Sequence, residues 1–434
     1  MRRISAFCLT VLPVLVLACC ENKEDSGGGH KGRPNRAPVF VSGPITHAFA
    51  DEAYLYDAEA EDADKDELTY SLAAGPGDMT IDSASGLVNW LPGPSAVGNH
   101  WLEVRASDGE TTVSQYFTVR VDPTDNGIPF QRGAVLTSWW HDDYSQELTE
   151  ETVLRMKENG CDWISILFTW YQDTLDSTTI GPSPDKSPTD AGVIRITQYA
   201  HSLGLKVFYK PHIDIHTGQW NGFISFATDE EWNAWFDSYD GFVGHYLEMA
   251  ESNSVEGFVI GTELKNTEGR ESNWRNTIAL ARSKYSGFLT YSANHDSYYG
   301  VMWWDDLDFI GVSGYFRLTT KADPTMEELL AGWDTRKTTL HDVAVYWGKD
   351  IVFTEVGYQS RNGANVTPWW TDGVYDAQEQ ADCYQALYTS LYNEPWFKGI
   401  YWWMYYWDPL QDVNGFDIYG KPAEDIFIYW YAGR

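Results

Sequence analysis

The chain has 434 residues, enough for two or three domains with an ample core, and its formal net charge of −33 comes from 63 acidic against 30 basic side chains. Such a surface repels phosphate backbones and anionic bilayers, which excludes nucleic acid as a partner. Aromatic residues make up 15%, with 21 Trp and 27 Tyr, and some stand in doublets: Trp139-Trp140, Trp303-Trp304, Trp369-Trp370 and Trp402-Trp403. Flat apolar rings stack on the apolar faces of sugars, so a carbohydrate ligand is the first expectation.

In chain order, Arg2-Arg3 precede an apolar run from Ile4 to Ala18 that is too short to span a bilayer and reads as an export signal. Small Ala18 before Cys19, with Val16 and Leu17 upstream, resembles the lipobox of bacterial lipoproteins. That resemblance implies a signal over residues 1–19 and acylation of Cys19, with Cys20 as the alternative. The chain would then be exported and held to the bacterial cell envelope by lipid alone; the acidic run Glu21 to Asp25 resembles tracts that lead such proteins to the outer surface. Residues 20–36, rich in Gly, Asn and charge, read as a flexible tether. Cys161 and Cys383 remain in the body, one expected on a strand and one on a helix, which indicates neither a disulfide framework nor a Cys-based zinc site.

From Ala37 to Asp122 short alternating strands recur between turn signals, among them Leu68 to Leu72, Leu87 to Trp90, Trp101 to Ala106 and Tyr116 to Val121. This spacing predicts a small all-β sandwich over 37–122. Ala37-Pro38-Val39-Phe40, the acidic run Ala60 to Asp66, Ile81-Asp82 through Gly86 to Trp90, and Ala106-Ser107-Asp108-Gly109 also resemble cadherin-like and immunoglobulin-like modules of bacterial surface proteins. Asp62, Asp64 and Asp66 have the spacing of a calcium loop, but Glu67 stands where an EF-hand needs Gly and Ala73 where it needs a bidentate Glu. A solvated acidic turn is the expectation.

After a polar linker, residues 130–434 alternate strand and helix in eight units, which predicts a (β/α)8 TIM barrel in the α/β class, with catalysis where the strands end. The strands expected are Gly133 to Trp139, Trp163 to Thr169, Lys206 to Lys210, Gly257 to Gly261, Phe288 to Ala293, Phe309 to Ser313, Ile351 to Thr354 and Gly399 to Met404. Two of these apolar runs deliver a carboxylate at the carboxyl end: Gly257 to Leu264 presents Glu263, and Ile351 to Thr354 presents Glu355. Two carboxylates converging on one site are the minimum equipment for breaking a glycosidic bond.

Glu263 on the fourth strand and Glu355 on the seventh resemble the acid/base and nucleophile of clan A retaining glycoside hydrolases. More narrowly, the segment from Gly133 onward is similar to glycoside hydrolase family 113, whose characterised activity is endo-β-1,4-mannanase. The matches are Thr137-Ser138-Trp139, Lys210-Pro211-His212, Phe236 to Tyr239, Gly261 to Leu264, Leu289-Thr290-Tyr291 with Ala293-Asn294, Trp304-Asp305 with Leu307 to Gly311, and Phe353 to Tyr358. Thr262 departs from the clan, which usually has Asn there to read the sugar 2-hydroxyl. The resemblance implies a double-displacement mechanism without cofactor or catalytic metal, and Tyr315 as the tyrosine that keeps Glu355 ionised.

Trp139, His212, Asp214, Asn294, His295, Trp369, Trp403 and Trp407 stand at or beyond strand ends as candidate sugar contacts. His212-Ile213-Asp214-Ile215-His216 places three polar groups on one side of an extended chain, as metal ligands could be, yet a paired-Glu enzyme needs no metal. The expected activity is that of a monomeric retaining endo-β-mannanase on polysaccharide. The alternatives are a glycosidase of the same clan on another β-linked glycan and a surface glycan-binding protein without activity.

Overall fold

Strands buried on both faces require helices packed around them, and the chain meets that requirement by closing its sheet. The computed structural model describes residues 35–122, 128–370, 372–406, 408, 410 and 414–432; Cys19, Cys20, most of the tether and Trp407 lie outside them. The barrel strands are β1 (Gln131–Thr137), β2 (Trp163–Gln172), β3 (Lys206–Ile215), β4 (Gly257–Thr262), β5 (Phe288–Asn294), β6 (Ile310–Ser313), β7 (Ile351–Val356) and β8 (Phe397–Tyr406). Pairing runs β1-β8-β7-β6-β5-β4-β3-β2, and β2 returns to β1 in parallel with Gly133 opposite Trp163. A closed eight-stranded parallel barrel leaves no sheet edge exposed.

Around it stand α1 (Glu147–Glu158), α2 (Asp190–Ser202), α3 (Asp229–Ser252), α4 (Glu271–Lys284), α5 (Met326–Trp347), α6 (Ala377–Leu391) and α7 (Pro422–Ala432). Their boundaries follow from capping chemistry. Thr228 with Glu231 and Thr325 with Glu328 form reciprocal capping boxes at α3 and α5, and Asp376 accepts from the amides of Gln378 and Glu379 at α6. Gly348 ends α5 in the left-handed region at φ 61°, where a Cβ would be strained. One of the eight expected helices is missing among the described residues: β5 and β6 are joined by the short 3-10 turns Tyr298–Gly300 and Trp304–Asp306, so seven α-helices stand around eight strands. Cys161 also differs from expectation: it lies between α1 and β2 rather than on the strand, buried and free, as is Cys383 on α6.

Two apolar sets divide the barrel. Outward residues such as Ile164, Ile166, Tyr209, Phe258 and Ile400 pack with the helices, while Val135, Trp163, Leu167, Phe208, Val259, Phe309, Val352 and Tyr401 form an inner floor that Ile128 joins from below. This period-two division is what a strand buried on both faces imposes.

The N-terminal module pairs a four-stranded sheet (His47–Phe49, Thr112–Asp122, Gly98–Ser107 and Thr69–Ala74) with a three-stranded one (Tyr54–Asp57, Leu87–Trp90 and Thr80–Ile81). Tyr56, Val88, Trp90, Leu102, Val104 and Val119 fill the space between them. The acidic loop is an Asx-type turn: Asp62 Oδ1 accepts from the amides of Asp64 (2.7 Å) and Asp66 (3.1 Å), and Arg36 pairs with Asp64 at 2.8 Å. Asn35 donates to Asp108 at 2.8 Å, so the end of the expected tether is bonded to the module. Arg120 reaches the barrel, bonding Glu394 at 3.2 Å beside Trp396.

Candidate active site

Inward positions of the barrel change character from floor to mouth. Above the apolar floor lies a buried polar layer of Lys210, Ser292, Ser313 and Thr354. The Ser292 hydroxyl sits 2.9 Å from that of Ser313 and 2.7 Å from that of Thr354. Lys210 Nζ donates to Ser292 Oγ at 3.2 Å and to the Thr354 carbonyl at 3.5 Å, and lies 3.2 Å from Glu355 Oε2. An ammonium taken out of water this completely needs such partners.

Above this layer the strand ends open into a cleft of about 650 Å³ lined by both Glu263 and Glu355. Glu263 follows β4 at φ 55°, a left-handed conformation that costs a residue with a Cβ on the order of 1–3 kcal/mol. Its amide donates to the Ser292 carbonyl at 2.8 Å, which fixes the turn. The Trp220 indole donates to its Oε2 at 3.1 Å. Burial first, and then the charge of Glu355, push the Glu263 carboxyl up to about 7, against the opposing pull of Trp220, His212 and Lys210. Glu263 therefore holds its proton up to neutrality.

Glu355 has a different setting. The Tyr315 hydroxyl donates to Oε1 at 2.6 Å while Lys210 faces Oε2 at 3.2 Å. A donor on each oxygen, one of them cationic, is the environment of an anion. The two carboxyls thus share one cleft with opposite surroundings, the arrangement that separates an acid from a nucleophile.

Of the sugar-contact candidates, Trp139, His212, Asn294, His295, Trp369 and Trp403 line the cleft, as does Tyr315. Asp214 is not part of this lining; its Oδ1 lies 3.2 Å from His212 Nε2. Burial would lower the His212 imidazole, but the bond and charge of Asp214 and the charges of Glu355 and Glu263 outweigh it and hold it raised. Its buried Nδ1 has no hydrogen-bond partner among the described residues. His216, the third member of the metal-like run, instead stacks on Tyr171 at 4.9 Å. His295 lies parallel to Trp369, 5.3 Å between ring centres and 15° between planes, building one aromatic wall.

Some of this lining escaped the sequence reading. Trp220, Phe223, Asp296, Trp370 and Phe416 also face the cleft, from loops and, for Phe223, a single 3-10 turn (Asn221–Phe223), where no periodicity announces orientation. Lys210 was detectable in principle, since a lone lysine within an apolar strand must be paired. The tryptophan doublets also divide. Trp303 and Trp304 are fully buried against Tyr291, with Trp303 also stacked on Trp274 at 5.0 Å, so they are core rather than sugar platforms. Trp402 packs on Tyr384 while its neighbour Trp403 faces the cleft, as alternation along β8 demands.

The Glycoside Hydrolase Family 113 model matches residues 137–421, more than half of the chain. The chain belongs to glycoside hydrolase family 113. Its N-terminal module matches the Putative Ig domain model over residues 37–122. Among solved structures, the hydrolase resembles the GH113 β-mannanase AaManA from Alicyclobacillus acidocaldarius in complex with ManMIm, at 30% identity over 71% of this chain and 99% of that one, with a TM-score of 0.66. A complex structure of a GH113 β-1,4-mannanase matches at 29% identity over 70% of this chain and 100% of that one, with a TM-score of 0.65. A curated relative, chitinase A of Pseudoalteromonas piscicida, is 34% identical over 92 residues, 21% of this chain and 11% of that protein. This glycoside hydrolase is thus a TIM barrel preceded by an immunoglobulin-like sandwich.

Proposed function

We propose that this hydrolase is an endo-acting β-1,4-mannanase that retains anomeric configuration, with Glu355 as nucleophile and Glu263 as acid/base. The observation that carries the reading is the opposed setting of the two carboxyls in one cleft: Glu263 is pushed up to about 7, while Glu355 takes donors from Tyr315 and Lys210. In the first step a Glu355 oxygen bonds the anomeric carbon as the glycosidic bond breaks, and the Glu263 proton passes to the leaving oxygen. In the second, Glu263 takes a proton from water, the water oxygen bonds the anomeric carbon, and the electron pair of the ester bond returns to Glu355.

The mannan assignment draws support from the two β-mannanase structures that this chain matches along almost their whole length. Mannose differs from glucose at C2, and the Thr262 hydroxyl beside the acid/base donates to the Pro211 carbonyl at 3.2 Å. Asn294 faces the same cleft; its amide nitrogen donates to Asp296 at 2.7 Å, so its carbonyl oxygen is the atom we propose reads the 2-hydroxyl. Proton NMR of a fresh digest tests the mechanism: the β-anomer should form first, and the α-anomer forming first would sink the retaining assignment. Products from mannan, glucomannan, cellulose and galactan run in parallel test the substrate, with mixed manno-oligosaccharides from mannan expected. Residues 1–20 support export with lipid on Cys19; labelling with a palmitate analogue should disappear in Cys19→Ala.

A further inference from the structure

Beneath the cleft lies a buried cation whose part in the mechanism above was only to face Glu355. Lys210 is fully buried in the layer directly beneath the cleft, and its ammonium has three contacts: Glu355 Oε2 at 3.2 Å, Ser292 Oγ at 3.2 Å and the Thr354 carbonyl at 3.5 Å. Other groups facing this layer are the Ser313 hydroxyl from β6, Tyr315 beyond it on Glu355 Oε1, Glu263 from the end of β4, and His212 two residues along β3. Glu355 is thus the negative charge in direct contact with Lys210, and Ser292 and Thr354 contribute only neutral acceptors.

We propose that Lys210 is the positioning residue of the second catalytic step, its buried charge expelling Glu355 from the glycosyl-enzyme. The inference rests on Glu355 being the nucleophile. When Glu355 forms its ester to the anomeric carbon it loses its negative charge, and the ammonium below is left buried without an anion. That state is unfavourable in a medium that cannot solvate the charge. When water attacks, the bond from the anomeric carbon to Glu355 breaks, its electron pair returns to the carboxylate, and the ion pair is restored. Lys210 therefore restrains attack by Glu355 in the first step and drives its departure in the second. A lysine that merely filled the barrel would act on neither step selectively.

The test uses the full chain and an aryl β-mannoside with a good leaving group, which makes the first step fast. Lys210→Met, close in volume and without charge, should lower kcat by about a hundredfold or more, a loss of the size that follows removal of one preorganised electrostatic partner. KM should fall with it, and aryl alcohol should be released in a burst equal to the enzyme present, because the glycosyl-enzyme accumulates. Lys210→Arg, which keeps the charge, should recover part of kcat and lose the burst. A folded Lys210→Met enzyme whose kcat and KM change without a burst, or not at all, overturns the proposal.

Folding failure of that variant is itself informative when paired with Glu355→Gln. Removing both charges should give a protein that melts at a higher temperature than either single variant, since each single variant strands one buried charge. A double variant no more stable than the weaker single one overturns the charge pairing. Glu355→Ala separates this inference from the one beneath it: wild-type turnover in that variant removes the nucleophile assignment, while the stability coupling between Lys210 and Glu355 would be untouched.

Discussion

The raised Glu263 carboxyl couples catalysis to stability, and Glu263→Gln measures the coupling. In the folded protein this group holds its proton to about 7 against an ordinary 4.5, because it is buried and faces Glu355. Between those values the folded state binds a proton that the unfolded chain has released, so stability falls as pH rises through the window and levels off above about 7. A rise from 4.5 to about 7, at about 1.4 kcal/mol for each pH unit, places the contribution at about 3 kcal/mol. Glutamine keeps the shape and an acceptor for the Trp220 indole but does not titrate. Glu263→Gln should therefore gain on wild type by about 2–3 kcal/mol between pH 4.5 and pH 8, while its hydrolysis of substrates with poor leaving groups is lost. Glu268, also pushed up to about 7 by burial, titrates in the same window, but it is present in both proteins and drops out of the difference. Urea unfolding of the two proteins across this range, followed by tryptophan fluorescence, gives the comparison. Parallel stability curves would refute the claim that Glu263 is protonated in the native state.

Tyr315→Phe removes the 2.6 Å bond to Glu355 and should lower kcat by about a hundredfold, as losing one such donor commonly does; a near-normal kcat in stopped assays would show the bond to be idle. Trp220→Phe takes from Glu263 a donor that favours its charged form, so the basic limb of the kcat/KM profile should move to a pH above about 7, and a fall to lower pH would contradict the assignment. Trp369→Ala removes the ring that stacks on His295 in the cleft wall. At about 0.5–1.5 kcal/mol for such a ring contact, KM on polysaccharide should rise by about two- to tenfold with kcat little changed, measured by reducing-end release.

How far the sequence could be read depended on how directly each signal maps to geometry. A strand ending in Glu is written in consecutive letters, so Glu263 and Glu355 could be placed at strand ends without coordinates, and the eight strands could be counted, although one of the eight expected helices, between β5 and β6, is absent among the described residues. Tyr315 was placed by its position after the sixth strand, and the structure shows its hydroxyl on Glu355. Lys210 sits four residues into β3, and whether it meets Glu355 across the barrel depends on the stagger between strands, which no local pattern carries. Trp220 and Phe416 come from loops, where neighbours in sequence say nothing about which way a ring turns. The doublet Trp303-Trp304 misled because exposure was inferred from unusual composition, when a stacked partner on α4, Trp274, had buried it.

Backbone geometry also explains how two chemically identical side chains acquire the opposite surroundings on which the proposed roles rest. Glu263 follows β4 in a left-handed conformation, and its direct hydrogen bond comes from the neutral indole of Trp220. Glu355 lies within β7, so its carboxylate stays in reach of the layer beneath and meets the ammonium of Lys210. Burial then favours the neutral form of the first, while the second lies between the Lys210 ammonium and the Tyr315 hydroxyl. The asymmetry needed for acid and nucleophile is thus set by backbone geometry at two strand ends, and the side chains beneath them make it electrostatic.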